Sequence, residues 1–536
     1  MKDQYGYIIV GAGSSGCALA NRLSSDPSNT VLLVESGPSD DNFLIHMPRG
    51  VGVVSNPGSK LIWEYQVQPV GNQPTERWFR GRVLGGSSST NGMVYMRGAP
   101  LDYDGWAAMG CDGWAWKDMA AKFVELEDHD QGAGPCRGAG GPVRITTHPK
   151  GDPLFEAIIE AGTQMGMKRV ADVNGVDAVS EGGIGYQPTT RHRGKRFSAA
   201  RAFLWPARRR ANLHIATETD ALRIEFEGKR AAAVRLRDKS GERSVRAGRE
   251  IIVSAGAIQA PKLLQLSGIG PASLLKPLGI EVVIDAPDVG QNLREHRHVD
   301  LNLQVRGHSQ NQDFAGPGLL WTMLRYILWS RGPMSHAAHE VGGFAKSEDG
   351  LDHADLQFGL MSVSASSTGK EGAAVALDTY PGITFVTYFT RPESRGEVRV
   401  QSADPNASPL VNANHLSAEI DRKKFVAAFR WNRRLAAQAA LKDWVVGERF
   451  PADQVQTDED ILANAMSLGG TCFHTAGTAR MGVDARSVVD PRLRVRGVHG
   501  LRVADTSIMP ALVSGNTNGP AMAIGLRAAD FILGEV

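Results

Sequence analysis

The segment Tyr7-Ile8-Ile9-Val10 runs directly into Gly11-Ala12-Gly13-Ser14-Ser15-Gly16, and Val31-Leu32-Leu33-Val34 ends at Glu35. Each apolar run has the length and composition of a strand buried in a parallel sheet. The glycine-rich segment between them opens a stretch with helical spacing. This order of strand, glycine turn, helix, strand and acid predicts a nucleotide-binding unit at the start of an α/β fold.

The glycines and the acid have separate tasks in such a unit. Gly11 permits the tight turn, Gly13 lets the backbone approach a pyrophosphate, and Gly16 lets the helix pack closely on the strand. The phosphates would lie at the positive end of that helix. Glu35 is placed to accept hydrogen bonds from both ribose hydroxyls, and its charge disfavours a 2′-phosphate. The sequence therefore predicts a dinucleotide other than NADP.

Length and composition restrict the class of protein. At 536 residues the chain exceeds what one hydrophobic core usually serves, so we expect two joined domains. Its 59 basic and 57 acidic residues give a net charge of +2, which provides no general electrostatic case for nucleic acid or an acidic membrane. Four scattered cysteines argue against a disulfide framework or a paired metal motif, so the cytoplasm is the expected compartment.

Hydrophobic stretches bear on membrane contact. None approaches the roughly 20 apolar residues that span a bilayer, and the first strand begins too early for a signal peptide. The most hydrophobic stretch, residues 318–329, is amphipathic in parts. We expect a packed helix or a lid there, and a peripheral membrane contact is the alternative.

Later segments extend the α/β pattern. Glu250-Ile-Ile-Val-Ser254 predicts another buried parallel strand, followed by a glycine turn at Gly256 and a helix that ends at Gly268. Residues 214–237 predict further strands, and residues 299–460 mix alternating segments with helical runs. That mixture favours a mixed sheet with helices on one face.

Further motifs follow one another in a definite order. They are Gly81-Arg-Val-Leu-Gly-Gly-Ser-Ser-Ser-Thr-Asn-Gly-Met-Val-Tyr-Met-Arg-Gly98, residues 256–270, residues 289–296, Ser394-Arg-Gly396 with residues 402–405, His474 within 471–482, and Asn516 within 514–519. With the amino-terminal unit, these motifs resemble those of the glucose-methanol-choline family of FAD-dependent oxidoreductases. The resemblance covers essentially the whole chain.

The resemblance implies an α/β fold with two domains. A Rossmann-like FAD-binding domain would comprise residues 1–150, 192–300 and 466–536. A substrate domain with a mixed, mainly antiparallel sheet would comprise residues 151–191 and 301–465. The active site would lie between the two domains, at the flavin ring.

The resemblance also implies which residues contact FAD. The glycine- and serine-rich segment 85–92 offers consecutive backbone donors to an anion or a flat ring. Thr90 stands about where some relatives attach flavin through a histidine, and threonine cannot do so, so we expect non-covalent FAD. The implied cofactor contacts are Gly11, Gly13, Ser14, Ser15, Gly16, Glu35, Ser36, Trp63, Arg82, Gly85, Gly86, Asn91, Gly92, Met93, Val94, Ala221, Asp505 and Thr517.

By the same resemblance, His474 and Asn516 are the catalytic residues. Loss of an alcohol proton needs a base with a pKa near neutrality, and imidazole meets that need. We expect His474 to be this base and Asn516 to hold the substrate oxygen, while FAD accepts a hydride. Asn518 lies two residues further on and is an alternative to Asn516.

The predicted reaction is oxidation of a primary alcohol, aryl or aliphatic, to the aldehyde. Electrons would pass to a quinone-like or other acceptor in an alcohol dehydrogenase, or to O2 in an alcohol oxidase, and we favour the dehydrogenase slightly. Gly359 stands near the place where choline-oxidising relatives carry a histidine, which disfavours choline. The residues that would line an alcohol pocket, or equally belong to a core, are Trp321, Phe344, Phe358, Met361 and Phe473.

Two departures from the family pattern and two other activities stay open. Ala260 replaces a usual serine or threonine, and Glu295 replaces a usual aspartate, so we expect changes in packing rather than chemistry. The same scaffold also serves hydroxynitrile lyases, which keep FAD without redox chemistry. A third activity is light-driven decarboxylation of fatty acids.

Overall fold

The two apolar runs at the start of the chain form parallel neighbouring strands of a seven-stranded sheet. The computed structural model describes residues 1–69, 75–307, 309–365 and 376–534. Parallel pairing continues on both sides of these two strands, and two antiparallel strands complete one edge. In spatial order the strands are Leu213–Ala216, Val31–Val34, Gln4–Val10, Gly241–Val253, Arg230–Asp238 and Asp220–Glu227, with Leu501–Val503 also paired to Gly241–Val253.

Two long helices pack on each other beside the glycine turn. Helix Ser14–Leu23 begins at that turn, and helix Asn518–Leu533 lies against it. The Ser15 hydroxyl donates to the Ala521 carbonyl at 2.6 Å, and a Cβ on Gly525 would lie 2.5 Å from the Ser15 carbonyl oxygen. The amino-terminal unit and the last described helix therefore share one core.

A second sheet has eight strands, and its described pairings are antiparallel with one exception, Lys168–Arg169 beside Gly183–Tyr186. Helix Glu419–Ala436 packs against it, with Trp431 on Phe358. This is the predicted mixed, mainly antiparallel sheet. In spatial order its strands are Val445–Phe450, Arg297–Val305, Gly382–Phe389, Leu356–Met361, Val341–Ala345, Gly183–Tyr186 and Lys168–Arg169, with Gly469–Thr471 also paired to Arg297–Val305.

Smaller sheets connect these layers. The four-stranded sheet runs in the order Glu397–Arg399, Leu410–Asn412, Ile62–Val67 and Glu76–Gly81. A three-stranded sheet comprises Glu127–His129, Val143–Thr147 and Pro188–Thr189, and two-stranded sheets pair Arg191–His192 with Lys195–Arg196 and Ile269–Gly270 with Ile284–Asp285.

The other helices are mostly short. The α-helices not yet given are Phe43–His46, Val51–Val54, Pro100–Ala108, Trp116–Leu126, Pro153–Gln164, Val176–Glu181, Trp205–Ala207, Gly256–Leu266, Ala272–Leu275, Gln310–Asp313, Gly316–Trp329 and Asp458–Ala463. The 3₁₀ turns are Pro48–Gly50, Gly86–Ser89, Lys276–Leu278, Pro333–Ser335, Ala439–Leu441, Ala452–Gln454 and Thr506–Ile508, and Ala200–Leu204 is a π-helical turn.

The predicted domain boundaries stay a prediction, because strands pair across them. Strand Arg297–Val305 begins in the predicted FAD-binding part, and its His298 pairs with Tyr388 of the predicted substrate domain. The four-stranded sheet likewise joins Ile62–Val67 to Leu410–Asn412. Backbone hydrogen bonds thus tie the two predicted parts together at the edges of the sheets.

Helix Gly316–Trp329 forms where the hydrophobic stretch predicts one, but it is not packed as expected. Of its residues, Thr322 and Tyr326 are buried, whereas Leu320 is 75% exposed. The apolar side chains that suggested a core helix point outward. No helix in the described part of the chain is long and apolar enough to cross a membrane.

Candidate active site

A cavity of about 770 Å³ lies where the parallel strands end. Val10, Val34 and Ser254, at or just after the carboxyl ends of three strands, line it together with Met361 and Val386 of the eight-stranded sheet. Ligand sites commonly measure about 300–1,000 Å³, and open α/β sheets bind ligands beyond the carboxyl ends of their strands. The cavity is therefore the candidate site.

The glycine turn presents bare backbone to this cavity. Gly11 has φ +101°, and its N–H donates to the Val34 carbonyl at 2.8 Å. A Cβ on Gly16 would lie 1.9 Å from the Gly11 carbonyl oxygen, so only glycine permits this packing of helix on turn. A Cβ on Gly86 would lie 2.7 Å from the Gly13 Cα. Two glycine segments thus meet where a pyrophosphate would lie against the helix N-terminus.

The Glu35 carboxylate lines the cavity and accepts two backbone hydrogen bonds. The Ala12 N–H donates to one oxygen at 3.0 Å, and the Gly37 N–H donates to the other at 2.9 Å. Burial raises the pKa of Glu35 to about 7, against the lowering effect of these bonds and of Arg82. Each oxygen keeps a lone pair for another donor. This arrangement fits acceptance of two ribose hydroxyls.

Most of the predicted cofactor residues line the cavity, and two lie behind its wall. Gly16 packs on Gly11, and the Gly85 N–H donates to the Ala12 carbonyl at 2.8 Å. The predicted cofactor residues that line the cavity are Gly11, Gly13, Ser14, Ser15, Glu35, Ser36, Trp63, Arg82, Gly86, Asn91, Gly92, Met93, Val94, Ala221, Asp505 and Thr517. Their contacts with the cofactor stay predictions.

Sequence reasoning missed several lining residues. Ala257 and Lys262 lie in the second family motif, so the motif was a signal for them. Thr219 and Asn406 lie in loops that no motif marks, and only the pairing of distant strands brings them to the cavity.

His474 and Asn516, predicted as the catalytic pair, contact each other at the cavity. The Asn516 Nδ2 atom lies 3.0 Å from His474 Nε2, and both residues line the cavity. Asn518 instead accepts a hydrogen bond from the Ser14 hydroxyl at 2.7 Å. The geometry favours Asn516 over Asn518 as the partner of the histidine.

A second histidine, His296, fixes which ring nitrogen of His474 carries a hydrogen. The sequence analysis included His296 only as the last residue of the motif 289–296. His296 Nδ1 lies 2.9 Å from His474 Nδ1, and His296 Nε2 lies 2.8 Å from the Thr390 carbonyl oxygen. A carbonyl only accepts, so His296 Nε2 carries a hydrogen and its Nδ1 accepts. His474 Nδ1 therefore donates. In the neutral ring, His474 Nε2 is left without a hydrogen.

The amide of Asn516 is oriented from its other end. Gln357 Nε2 donates to Asn516 Oδ1 at 3.1 Å, and the Tyr388 hydroxyl donates to Gln357 Oε1. The amide nitrogen of Asn516 therefore faces His474 Nε2. Each donor along this chain of hydrogen bonds points away from Tyr388 and toward Thr390.

The imidazoles of His474 and His296 are both held neutral. Burial, followed by the neighbouring His296 and Arg80, holds the pKa of His474 well below its usual value of 6.5. Burial lowers the pKa of His296 to about 4. Because the charged form of His474 is disfavoured, its Nε2 lone pair is available as a proton acceptor at neutral pH.

Glu295 supports the segment that carries His474. Its carboxylate accepts from the His474 backbone N–H at 2.6 Å and from the Thr475 hydroxyl at 2.8 Å, and Arg80 lies 3.4 Å away. Burial raises the pKa of Glu295 to about 7. The Glu295 carboxylate thus binds the segment that carries His474, and the expectation of a change in packing rather than chemistry stays a prediction.

Apolar and aromatic side chains line the cavity beside His474. Phe473 stacks on Phe79 with ring centroids 4.3 Å apart, and Met361, Val386 and Tyr388 also line this end. Two of the five residues predicted for an alcohol pocket, Met361 and Phe473, are therefore in place.

The other three residues do not line the cavity, and two of them take the core alternative. Trp321 is exposed on helix Gly316–Trp329. Phe344 and Phe358 are buried in hydrophobic clusters away from the cavity lining. Phe358 lies on the sheet face that packs on helix Glu419–Ala436, whereas Phe344 pairs with Gln357 on the opposite face and is buried there in a separate cluster.

Gly359 does not leave an empty space. A Cβ at this position would lie 2.6 Å from His339 Nδ1, so the ring of His339 already occupies the space beside the strand. His339 lines the cavity, and burial lowers its pKa to about 4. An imidazole is therefore present beside Gly359. His339 supplies it, whereas in choline-oxidising relatives the histidine stands near position 359 itself.

Two family models match the chain. A GMC oxidoreductase model matches residues 5–298, and a second matches residues 392–525. These matches include the glycine turn, His296, His474 and Asn516. The chain belongs to the GMC oxidoreductase family, as the sequence motifs predict, and it has that family's fold.

Named relatives extend over nearly the whole chain. An alcohol dehydrogenase [acceptor] of Pseudomonas putida is 38% identical, covering 99% of this chain and 96% of that protein. The mitochondrial choline dehydrogenase of Homo sapiens is also 38% identical, covering 100% and 90%. Among solved structures, pyridoxine 4-oxidase from Mesorbium loti has a TM-score of 0.86 at 29% identity and 98% coverage of both chains. Aspergillus oryzae formate oxidase has 0.91 at 26%, covering 100% and 99%.

The protein is thus an FAD-dependent oxidoreductase that acts on alcohols. The cavity fits FAD on three observations of its own: its volume, the meeting of two glycine segments at a helix N-terminus, and the paired acceptors of Glu35. Thr90 lines the cavity and carries no ring nitrogen for a flavin bond. We therefore retain the prediction of non-covalent FAD.

Proposed function

We propose that the protein oxidises a neutral primary alcohol, aryl or aliphatic, to its aldehyde, with His474 as the general base. The observation that carries this proposal is the oriented series of hydrogen bonds that leaves His474 Nε2 without a hydrogen and facing the Asn516 amide nitrogen. An alcohol needs an acceptor for its hydroxyl hydrogen and a donor for its oxygen. These two atoms provide both.

The substrate hydroxyl would insert between His474 and Asn516. Its hydrogen would point to His474 Nε2, and its oxygen would accept from Asn516 Nδ2, which now lies 3.0 Å from that nitrogen. When the proton moves to Nε2, the ring of His474 becomes positive. His296 keeps accepting from His474 Nδ1, so the charged ring stays hydrogen-bonded on both sides.

When bound, FAD supplies the acceptor for the hydride that leaves the alcohol carbon. The residues that would hold its ring and phosphates are those of the glycine turn and segment 85–94. His474 and Asn516 orient the carbon by fixing the oxygen attached to it. The burial of His474 excludes water from the proton acceptor.

The character of the cavity beside His474 supports a neutral substrate. Its carboxylates, Glu35, Asp220 and Asp505, belong to the dinucleotide end, and none of the described lining residues beside His474 is an aspartate or glutamate. Arg80 also lines the cavity. The lack of a carboxylate among the described lining residues beside His474 supports a neutral aryl or alkyl group, because aromatic walls alone would also suit a quaternary ammonium ion.

The electron acceptor and the compartment are the less supported parts of the proposal. We favour a quinone-like acceptor over O2, because a 38% identical relative is named an alcohol dehydrogenase [acceptor]. A cytoplasmic location remains the expectation from cysteine usage. The lyase and photodecarboxylase alternatives have no support among the named relatives described above.

Anaerobic mixing tests the reaction. The purified holoenzyme is mixed with benzyl alcohol, octanol, glycerol or choline while flavin absorbance is followed, and air is then admitted. We expect bleaching by the first two alcohols and little by choline. Slow recolouring in air with rapid recolouring by a quinone would support the dehydrogenase. Absence of bleaching by every alcohol would contradict the proposal and favour the lyase.

The base is tested by H474A, with H353A as the matched control. Loss of a general base slows reactions by about 10²- to 10⁴-fold, and we expect that loss in flavin reduction by H474A. His353 is an exposed histidine elsewhere, so H353A should reduce flavin at the wild-type rate. Yellow, folded H474A with undiminished reduction would exclude His474 as the base.

A further inference from the structure

The outward side of helix Gly316–Trp329 is apolar at helical spacing. Five large residues recur at positions i, i+1, i+4, i+7 and i+8 and are exposed. A surface helix normally turns such a stripe toward the core. Here the buried positions are a threonine and a tyrosine instead. The five residues, called the outer face below, are Leu320, Trp321, Leu324, Ile327 and Leu328.

The helix is held firmly from its inner side. The Tyr326 hydroxyl donates to the His46 carbonyl at 3.3 Å, and its ring meets Phe43 edge-on at 5.9 Å. Tyr326 also joins Met47 and Met334 in a small buried cluster. The outer face is therefore a fixed feature of the fold, and exposed Phe43 extends it.

Positive charges border the outer face at the carboxyl end of the helix. Arg331 follows the helix directly and is exposed. The hairpin of Arg193 and Lys195, both exposed, packs against the same end, since a Cβ on Gly194 would lie 1.8 Å from the Ser330 carbonyl oxygen. Three cations thus surround the end of the apolar stripe.

Acidic residues do not offset these charges. The sequence contains no aspartate or glutamate from residue 314 to residue 339. Glu340, the next acid, is buried and lies 2.7 Å from Arg49. Asp41, near the Phe43 end, lies 3.9 Å from both His46 and Arg201. The border of the outer face carries a positive potential.

This combination fits an anionic lipid surface better than a second copy of the chain. A two-fold dimer through the outer face would place the patch against itself and bring its cations toward their own copies. Helices with Trp and Leu on one side and basic residues at the border bind in the headgroup region of bilayers. Trp321 and Trp329 suit that interface.

We propose that the outer face docks into the surface of a membrane leaflet that contains anionic phospholipids, with Arg193, Lys195 and Arg331 near the lipid phosphates. The helix measures ~21 Å at 1.5 Å per residue, so it lies in the surface and does not cross it. The segment that follows the helix leads to the cavity, where Ala338 lines the wall and its N–H donates to the Gly92 carbonyl at 3.1 Å. The docking itself does not depend on the proposed function. Delivery of apolar substrates from the lipid to the cavity would depend on it.

Vesicle sedimentation tests the docking. The holoenzyme is mixed with vesicles of phosphatidylcholine alone or with phosphatidylglycerol added. We expect cosedimentation with the anionic vesicles that weakens as salt rises, since Debye screening acts on the cations. L320S/W321S/I327S/L328S should abolish it. R193E/K195E/R331E should weaken it at least about tenfold, because each cation near an anionic leaflet contributes about 1 kcal/mol.

Matched controls separate docking from general effects. V483S/M109S removes exposed apolar residues from another surface, and K239E/R246E/K423E makes the same charge change at exposed cations elsewhere. Both should bind vesicles as the wild type does. All four variants should stay yellow and reduce flavin normally with benzyl alcohol, which keeps the docking test independent of catalysis.

Three outcomes would overturn the proposal. Wild-type protein that stays in the supernatant with anionic vesicles would do so. Equal binding by the wild type and the four-fold serine variant would place the lipid contact elsewhere. A wild-type dimer that the serine substitutions convert to a monomer, without vesicle binding, would show that a second copy covers the outer face.

Discussion

The contact between His296 and His474 can be tested with two substitutions that keep different atoms of one ring. In H296N, the amide oxygen can replace Nδ1 as the acceptor for His474. In H296Q, the amide nitrogen can replace Nε2 as the donor to Thr390, but the acceptor is lost. We expect H296N to retain most flavin reduction and H296Q to lose about 10²-fold, because its His474 no longer has one fixed tautomer.

The pH profile distinguishes this positioning role from a structural one. The base works when neutral, so kcat/KM is lost as pH falls through the pKa of His474. That pKa lies well below 6.5, so the acid limb that His474 causes should lie below pH 6.5 in the wild type. His296 is one cause of the lowering, so H296Q should move the acid limb upward. Equal activity and profiles in H296N and H296Q would refute the positioning role.

The sequence predicted His474 and Asn516, which contact each other at the cavity, but not the residues that support them. His474 and Asn516 lie in long motifs, and each motif identified its residue. The His296 contact joins residues that are 178 positions apart, so no local spacing indicates it. Phe344 and Phe358 stayed open between pocket and core for a related reason, because aromatic residues suit both equally.

Among the local elements, the meeting of the two glycine segments offers a direct test. Gly86 has φ +52°, and a Cβ there would lie 2.7 Å from the Gly13 Cα. Gly228 has φ +59° with open space around its Cβ position. Both G86A and G228A pay the left-handed cost of ~1–2 kcal/mol. Only G86A should also separate the two segments and lose FAD.

The measurement is flavin content after gel filtration, with the unfolding midpoint recorded for both variants. G228A should stay yellow despite a lowered midpoint. Full flavin content in G86A would contradict the close approach of the two turns. The comparison isolates the backbone contact from the strain of the conformation itself.

Strands and helices were predicted best where the spacing of hydrophobic residues and the turns that bound the segment indicated the same structure. The runs around Val10 and Val34 became strands as expected, because four buried apolar residues between turns permit little else. Helix Gly316–Trp329 was also predicted, but its orientation was not. Hydrophobic residues at helical spacing predict that the helix has an apolar face. Only the packing of Tyr326 shows that this face points outward.

Across the whole molecule, FAD should act as a structural ligand. Its cavity touches both large sheets, so the bound cofactor links them. A ligand that binds only the native state stabilises it by RT ln(1 + [L]/Kd), ~2.7 kcal/mol at 100 times Kd. We expect apoprotein to have a lower Tm than holoenzyme, and added FAD to restore the Tm with increasing concentration.

Two variants make that measurement specific. E35Q removes charge from the residue that faces the ribose, so its Tm should respond to FAD only at higher concentrations. E227Q changes an exposed acid and should respond as the wild type does. Identical Tm values for apoprotein and holoenzyme would show that FAD does not link the sheets.

The overall class was predictable because the motifs span the chain in order, and the fold and family agree with it. The domain limits stay a prediction, since strand Arg297–Val305 and the four-stranded sheet pair across them. Periodicity within a segment carries no information on its distant partner.

The Thr390 carbonyl has a consequence for how this enzyme can change over generations. It belongs to the main chain, so no replacement of the Thr390 side chain removes it. The reactivity of His474 therefore depends on an atom that every amino acid would supply there. A mutation can change the hydrogen bonds that fix the tautomer of His474 only by moving this backbone or by replacing His296. Most point mutations at position 390 should therefore leave His474 Nε2, the proposed proton acceptor, unchanged.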